Sequence, residues 1–87
     1  MKNDDLKRVT EIKQYLLDPP ASFRLYDYAI SYLKDAITVL TPYPEAGTTL
    51  EELQQLLQQL QDKNVPQEAL KNHLQDAGKK LSGLTNK

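Results

Sequence analysis

Hydrophobic residues recur with helical spacing in several stretches of this chain, and the broadest apolar stripe lies in residues 23–40. At about 100° per residue, one row of this helix consists of Leu25, Ala29, Leu33, Ala36 and Leu40. Isoleucine, valine and tyrosine residues widen the row on both sides, which leaves about a third of the surface polar. A helix of this kind normally has neighbours on more than one side. The pattern therefore predicts a central helix over 22–40 that the other segments cover.

One further helix is predicted before the helix over 22–40 and one after it. The first covers 3–17 and ends at Asp18-Pro19-Pro20, because proline disfavours the helical conformation for the residue before it. The third covers 49–62, with a capping box that begins at Thr48 or Thr49. Its narrow apolar seam consists of Leu50, Leu53, Leu56, Leu57 and Leu60, and its opposite side is rich in uncharged glutamine.

The end of the fourth helix has two interpretations. The helix begins near residue 65 and either ends at Gly78 as a left-handed cap or continues to Leu81. Leu81 continues the apolar stripe of this segment, so the pattern favours a helix over 65–81. The final residues, from Leu84 onwards, are expected to fray.

These segments predict an all-α fold, an antiparallel four-helix up-down bundle that forms one domain over residues 1–87. Residues 41–47 contain two prolines and a glycine and form the longest expected loop, with Tyr43 packed over an end of the bundle. The predicted core consists of Leu6, Val9, Ile12, Leu16, Leu25, Ala29, Leu33, Ala36, Ile37, Leu40, Leu53, Leu56, Leu57, Leu60, Leu70, Leu74 and Leu81.

Composition predicts a small soluble protein of the cytoplasm. The 87 residues include 11 basic and 12 acidic ones, so the bulk charge does not attract nucleic acid. The absence of cysteine is consistent with a reducing compartment. The N-terminal residues lack the apolar core of a secretory signal, and the apolar runs are too short for a transmembrane helix.

The sequence predicts no enzyme, with no catalytic, metal-binding or cofactor-binding residue. The one histidine, His73, has no cysteine to join it in a zinc site, and no spacing suggests a nucleophile–base pair. No glycine-rich phosphate loop or EF-hand loop is present. His73 is expected to be half buried at the edge of the apolar stripe of the fourth helix.

Tyrosine is the most informative residue type for function, because five of the six aromatic residues are tyrosines. Three of them lie on different sides of the second helix, and they either pack at the core boundary or, at Tyr28, contribute to a partner surface. A cluster of lysines near the C-terminus adds positive charge that would suit an anionic partner or the membrane surface. The candidate partner-binding residues are Tyr28, Asp35, Tyr43, His73, Lys79 and Lys80.

Three classes of function remain open from the residues alone. The first is a non-catalytic interaction or regulatory module that binds another protein. The second is a helical DNA-binding regulator, since the third and fourth helices form a helix–turn–helix unit; its acidic residues and its few basic ones make nucleic acid the less favoured partner. The third is a homo-oligomer that associates through the leucine and glutamine residues of the third helix.

The order of elements is similar to that of a known family. An amphipathic first helix ending in Leu16-Leu17-Asp18-Pro19, a longer apolar second helix and a helical hairpin resemble the bacteriocin immunity proteins of lactic acid bacteria, of the enterocin A immunity type. The resemblance implies a cytoplasmic bacterial four-helix bundle that engages a bacteriocin-occupied sugar permease in the membrane and has no enzymatic activity. This chain departs from the family in its short fourth helix and tail and in its near-zero net charge. No motif matches near the C-terminus, where the family's specificity determinants lie, so no functional residue is carried over.

Substitution of Leu33, which lies in the predicted core, tests whether the second helix is buried as predicted. Leu33→Asp would place an unpaired charge in the core, which costs several kcal/mol, while a single core of this size supplies about 3–5 kcal/mol. The variant is expected to be unfolded by circular dichroism and to show no cooperative melting. A spectrum and melting curve equal to those of the wild type would refute the predicted position of this helix.

Overall fold

The structure is a computed structural model that describes residues 2–19 and 25–85. Within this part of the chain lie four α-helices and a short 3-10 helix, and no strand is present. The helices are α1 (Asn3–Leu17), α2 (Leu25–Leu40), α3 (Gly47–Gln61) and α4 (Gln67–Thr85), and the 3-10 helix covers Pro44–Ala46. The all-α, four-helix fold is thus confirmed. The first residues of the helix predicted over 22–40 lie outside the described residues.

The helices surround one hydrophobic core. α1 packs most extensively against α4, then α2 against α3, and α1 also contacts α2. α3 and α4 approach each other least closely of these neighbouring pairs. Residues early in α1 meet residues late in α2, as in the Arg8–Asp35 ion pair, and Tyr15 meets Tyr32. These contacts are compatible with the up-down antiparallel order that the short connections predict.

The core follows the predicted stripes closely. The fully or nearly fully buried apolar residues are Val9, Ile12, Leu16, Ala29, Leu33, Ala36, Leu40, Ala46, Leu53, Leu56, Leu60, Val65, Leu70, Leu74, Ala77 and Leu81. Four residues expected in the core are only partly buried, namely Leu6, Leu25, Ile37 and Leu57. Ala46 and Val65 are not among the predicted core residues, and they enter the core from the segments that connect the helices.

α2 is not the central helix that its apolar breadth predicts. Among the described residues it packs against α1 and α3, and the most extensive helix contact joins α1 to α4. The row that includes Leu33 is buried. The tyrosine, isoleucine and valine side chains that widen this row remain partly exposed on both flanks. The apolar surface of α2 therefore consists of one buried row in the core and, on each side of it, residues that are only partly buried.

The ends of the helices show where tertiary contacts override local signals. α1 has the predicted bounds and ends at Leu17, with Asp18 as its C-cap residue. α3 begins at Gly47, directly after the 3-10 helix, and its N-cap residue Ala46 makes no side-chain cap. The capping box predicted at Thr48 or Thr49 is therefore wrong. The reason is that Gly47 already has helical backbone angles, so both threonines lie inside the helix.

α4 begins two residues later and ends four residues later than predicted. Pro66 precedes the helix, and its carbonyl accepts the amide protons of Ala69 and Leu70 at 3.0 and 3.1 Å. The helix continues through Gly78 to Thr85, because Leu84 extends the apolar stripe and packs against the core. Gly78 is thus a buried helical residue and not a left-handed cap.

Gly78 marks a close approach of α4 to α1. A Cβ atom at Gly78 would lie 2.8 Å from Leu17 Cγ and 3.1 Å from the Leu17 backbone nitrogen. Such distances require α1 or α4 to move, since a backbone nitrogen cannot rotate away as a side chain can. The absence of a side chain here is therefore required by packing between the first and last helices.

Gly78→Ala is expected to lower the stability of the bundle. Alanine gains about 1 kcal/mol of helix propensity over glycine, but forcing a methyl group into a packed interface typically costs about 1–3 kcal/mol. The matched control is Gly83→Ala in the same helix, where nothing lies within 4 Å of the added Cβ. Thermal melting should show a lower Tm for Gly78→Ala and an equal or higher Tm for Gly83→Ala. Equal gains for both variants would mean that the helices do not approach closely at Gly78.

Candidate protein-interaction site

Tyr28 is the large hydrophobic residue that the described part of the chain leaves exposed, with 47% of its surface accessible. It lies on the flank of α2 that faces α1, near Tyr15 and Tyr32. The surrounding surface combines aromatic and charged side chains from both helices. We name this surface the tyrosine face, which consists of Arg8, Glu11 and Tyr15 of α1 and Tyr28, Tyr32 and Asp35 of α2.

Helical spacing brings these six residues together. On each helix the three positions are three or four residues apart and therefore lie on one side of it. The two helices run past each other so that the early residue Arg8 pairs with the late residue Asp35. The charged groups consequently gather at one end of the face and the tyrosines at the other.

Two stacked rings form the middle of the face. The rings of Tyr15 and Tyr32 have centroids 4.2 Å apart and planes inclined by 24°. Such pairs contribute about 0.5–1.5 kcal/mol beyond the area they bury. The guanidinium carbon of Arg8 lies 5.6 Å from the centroid of the Tyr32 ring, within the range of a cation–π interaction. The Arg8 guanidinium, the Tyr32 ring and the Tyr15 ring thus form a stack that joins α1 and α2.

Two carboxylates fix the guanidinium of Arg8 in this position. Arg8 donates a short hydrogen bond to Asp35 and a second one to Glu11 at 3.3 Å. The hydrogen bond to Asp35 is the largest cause of the raised pKa of Arg8, and Glu11 raises that pKa further. These groups are about half exposed, so the ion pairs add little to the free energy of folding. Their effect is to orient the cation over the ring.

The hydroxyl of Tyr15 is buried and has no hydrogen-bond partner among the described residues. Burial is the main cause of the raised pKa of Tyr15, and the neighbouring Tyr32 and Tyr28 raise it further. A buried polar group without a partner typically costs about 1–3 kcal/mol. The stack on α1 and α2 therefore includes a polar atom that the described residues do not satisfy.

Tyr26 lies on the opposite flank of α2, and its hydroxyl, unlike that of Tyr15, has a hydrogen-bond partner. Its hydroxyl donates a 2.6 Å hydrogen bond to the carbonyl of Val65, in the turn between α3 and α4. With Ile30 and Leu60 it lines a mainly apolar groove of about 380 Å³. Tyr26 thus anchors the α3–α4 turn to α2.

Tyr43 holds one end of the bundle together. It packs against the core, its hydroxyl donates a short hydrogen bond to Asp5, and it accepts the backbone N–H of Lys2 at 3.2 Å. The hydrogen bond to Asp5 is the largest cause of the raised pKa of Tyr43. The expected packing of Tyr43 over an end of the bundle is thus observed, at the start of α1.

The remaining candidate residues lie on α4. His73 and Lys80 line a groove of about 290 Å³ between α3 and α4, where Lys80 Nζ lies 2.7 Å from Glu52 Oε2. His73 is exposed, so its predicted half-buried packing role is wrong. The loose approach of α3 and α4 explains this, because it leaves the edge of the apolar stripe uncovered. Lys79 is exposed on the same helix.

Of the six candidate residues, Tyr28 and Asp35 belong to the tyrosine face, and His73 and Lys80 line the groove between α3 and α4. Tyr43 lies at the end of the bundle, and His73, Lys79 and Lys80 lie on α4. Sequence reasoning missed the contribution of α1, namely Arg8, Glu11 and Tyr15. The signal was present in the helical spacing of 8, 11 and 15, which is that of 28, 32 and 35 in reverse order, but pairing the two sets requires the relative position of the helices.

Comparisons of this chain with protein-family models, curated proteins and solved structures find no match. The function of the tyrosine face is accordingly argued from its own geometry. No helix in the described part of the chain is long and apolar enough to cross a membrane. Within residues 2–19 and 25–85, no group of three or more His, Asp or Glu side chains is placed to hold a metal ion.

Tyr15 of α1 and Tyr26 of α2 give a matched test of whether a tyrosine hydroxyl has a hydrogen-bond partner. Tyr15→Phe removes an unpaired hydroxyl and should leave the free energy of unfolding unchanged or raise it by up to about 1 kcal/mol. Tyr26→Phe removes the donor to Val65 and should lower it by about 1 kcal/mol. Urea unfolding of both variants measures the difference. A loss in Tyr15→Phe as large as that in Tyr26→Phe would show that the Tyr15 hydroxyl has a partner.

Proposed function

We propose that this protein is a non-catalytic interaction module that binds another protein through the tyrosine face. The observation that carries the proposal is the exposure of Tyr28 beside an ordered stack of two tyrosines and an arginine. Tyrosine and arginine are enriched among the residues that contribute most to binding between proteins. An isolated boundary tyrosine would not require the surrounding stack.

The contacts within the face support the same proposal. Binding normally costs free energy for every side chain that becomes ordered at the interface. Here Tyr15, Tyr32 and Arg8 are already ordered by stacking and by the ion pairs with Asp35 and Glu11. A partner would therefore have to order few side chains other than that of Tyr28.

The specific form of this proposal is a bacteriocin immunity protein of the bacterial cytoplasm. The four-helix fold and the helix end at Leu17-Asp18-Pro19 are consistent with the family resemblance. In that form the partner is a permease component in the membrane, and the chain acts from the cytoplasmic side. In the general form the partner is a soluble protein that the module regulates.

Site-specific crosslinking tests the proposal. A photoreactive p-benzoylphenylalanine replaces Tyr28 in the native host, and the control places it at Gln58, which is exposed on α3. After irradiation, detergent-solubilised membranes and the soluble fraction are analysed by mass spectrometry. The position of Tyr28 should give a crosslink to one partner that the position of Gln58 does not give.

The identity of the crosslinked partner separates the two forms. A permease component, captured when the bacteriocin is present, supports the immunity form, and a soluble protein supports the regulatory form. In either case Tyr28→Ala should weaken binding by tenfold or more, about 1.4 kcal/mol or above, while its melting temperature stays near that of the wild type. The same crosslinks from both positions, or none from the position of Tyr28, would refute the proposal.

A further inference from the structure

We infer that this chain associates with a second copy of itself through the side of the bundle where α2 meets α3. This side lies on the flank of α2 opposite the tyrosine face, so the inference goes beyond the proposed function and does not depend on it. It follows from a groove whose two walls carry opposite charges, and from partly exposed apolar residues that continue the groove along both helices.

The groove beside Tyr26 has one acidic and one basic wall. The first wall is the beginning of α2, with Asp27, and the second is the end of α3 and the following turn, with Lys63. Both charged side chains are exposed, and neither forms an ion pair within the described part of the chain. The lining between them is mainly apolar and includes Ile30 and Leu60. An occupant that fits must therefore bring apolar surface together with one group of each charge.

Lys63 is held at a backbone position that favours glycine. Its φ angle is 57°, in the left-handed region that residues other than glycine rarely adopt. Two hydrogen bonds at the end of α3 impose this angle. The N–H of Lys63 donates to the carbonyl of Leu60 at 3.2 Å, and the N–H of the next residue donates to the carbonyl of Gln59 at 2.9 Å, as in a Schellman cap. Glycine would fit here without strain, so the fold does not require the lysine, and its ammonium group at the groove points to a role in binding.

Partly exposed apolar residues continue the groove along both helices. On α2, Ile30 and Ile37 follow Tyr26 by four and eleven residues and therefore lie on the same side of the helix. On α3, two leucines precede the groove residue Gln61 by four and eleven residues. We name this surface the α2–α3 face, which consists of Tyr26, Asp27, Ile30 and Ile37 of α2, Leu50, Leu57 and Gln61 of α3, and Lys63.

A two-fold axis along the groove makes the α2–α3 face complementary to itself. Such an axis lays α2 of one copy over α3 of the other, because the rotation exchanges the two walls. Asp27 of each copy then lies opposite Lys63 of the other, so one contact forms two ion pairs. The isoleucines of α2 meet the leucines of α3, since both sets have the same spacing from the groove. A symmetric interface between two identical chains requires self-complementarity of this kind.

The other charges near the α2–α3 face lie outside the groove. Lys34 on α2 and Asp62 after α3 are exposed and carry opposite charges. Glu45 and Glu51 lie at the far end of the face, near the beginning of α3, and salt screens exposed charges beyond about 8 Å. Arg24 lies outside the described residues. The two charged walls of the groove are therefore the groups that select the occupant.

Light scattering of the purified protein, from about 1 μM to 1 mM, tests the association. The mass of the wild type should rise with concentration from that of one chain towards that of two. Asp27→Lys and Lys63→Asp should each raise the Kd of association about tenfold or more, because each variant places like charges opposite each other twice. An equimolar mixture of the two variants should associate as the wild type does, because one copy then supplies both cations and the other both anions.

Two variants with the same changes of charge elsewhere are the controls. Glu68→Lys and Lys79→Asp alter exposed residues of α4 and should leave the Kd of association unchanged. Circular dichroism and thermal melting verify that all four variants are folded. Lys63→Asp is expected to fold, since aspartate adopts the left-handed region more readily than lysine does.

Several results would overturn the inference. One is a wild-type mass of one chain at every concentration, and another is a mixture of the two variants that stays monomeric. Association of either charge-reversal variant as strong as that of the wild type would also refute it. Loss of association in Tyr28→Ala, with both charge-reversal variants unaffected, would place the contact on the tyrosine face instead. Failure of the crosslink from the position of Tyr28 refutes the proposed function and leaves this inference intact.

Discussion

The close approach of α1 and α4 at Gly78 is the contact on which the arrangement of the bundle depends. A side chain at Gly78 would collide with Leu17, including its backbone nitrogen, so the first and last helices can pack this closely only without one. Beside this contact, Gln75 donates a hydrogen bond to the carbonyl of Leu17 at 3.4 Å. With one side of α1 held against α4, its other side meets α2. The tyrosine face lies at that second junction.

The same arrangement explains why α2 is unusually apolar without being central. Its buried row, which includes Leu33, supplies its share of the core, and its flanks contact α3 and α1. On the flank of α2 that faces α3, the Tyr26 hydroxyl donates a hydrogen bond to the carbonyl of Val65. The α1 flank stacks Tyr32 on Tyr15 but leaves Tyr28 nearly half exposed. The exposure of Tyr28 beside the stack of Arg8, Tyr32 and Tyr15 is the physical basis for proposing a partner there.

Periodicity was sufficient to predict the helices and most of the core, because burial in a bundle follows directly from the apolar stripe. It failed where a residue serves a tertiary contact. Gly78 has the sequence signature of a helix end, yet the helix continues because the glycine is needed against Leu17. His73 lies at the edge of a stripe but is exposed, since α3 and α4 pack loosely. Tyr28 is a candidate from its position on α2, and the structure leaves it exposed. Its neighbours Arg8 and Tyr15 were missed, because helix pairing cannot be read from one helix.

Amide hydrogen exchange of the purified protein, alone and bound to the partner captured from the position of Tyr28, tests most directly whether the tyrosine face is the interface. Binding there should slow exchange in residues 8–15 of α1 and 28–35 of α2 and leave the α3–α4 groove, residues 52–59 and 73–80, unchanged. Slower exchange confined to α3 and α4 would contradict the central claim. In that case the tyrosines of α2 would be boundary packing, and the groove that contains His73 would be the interface.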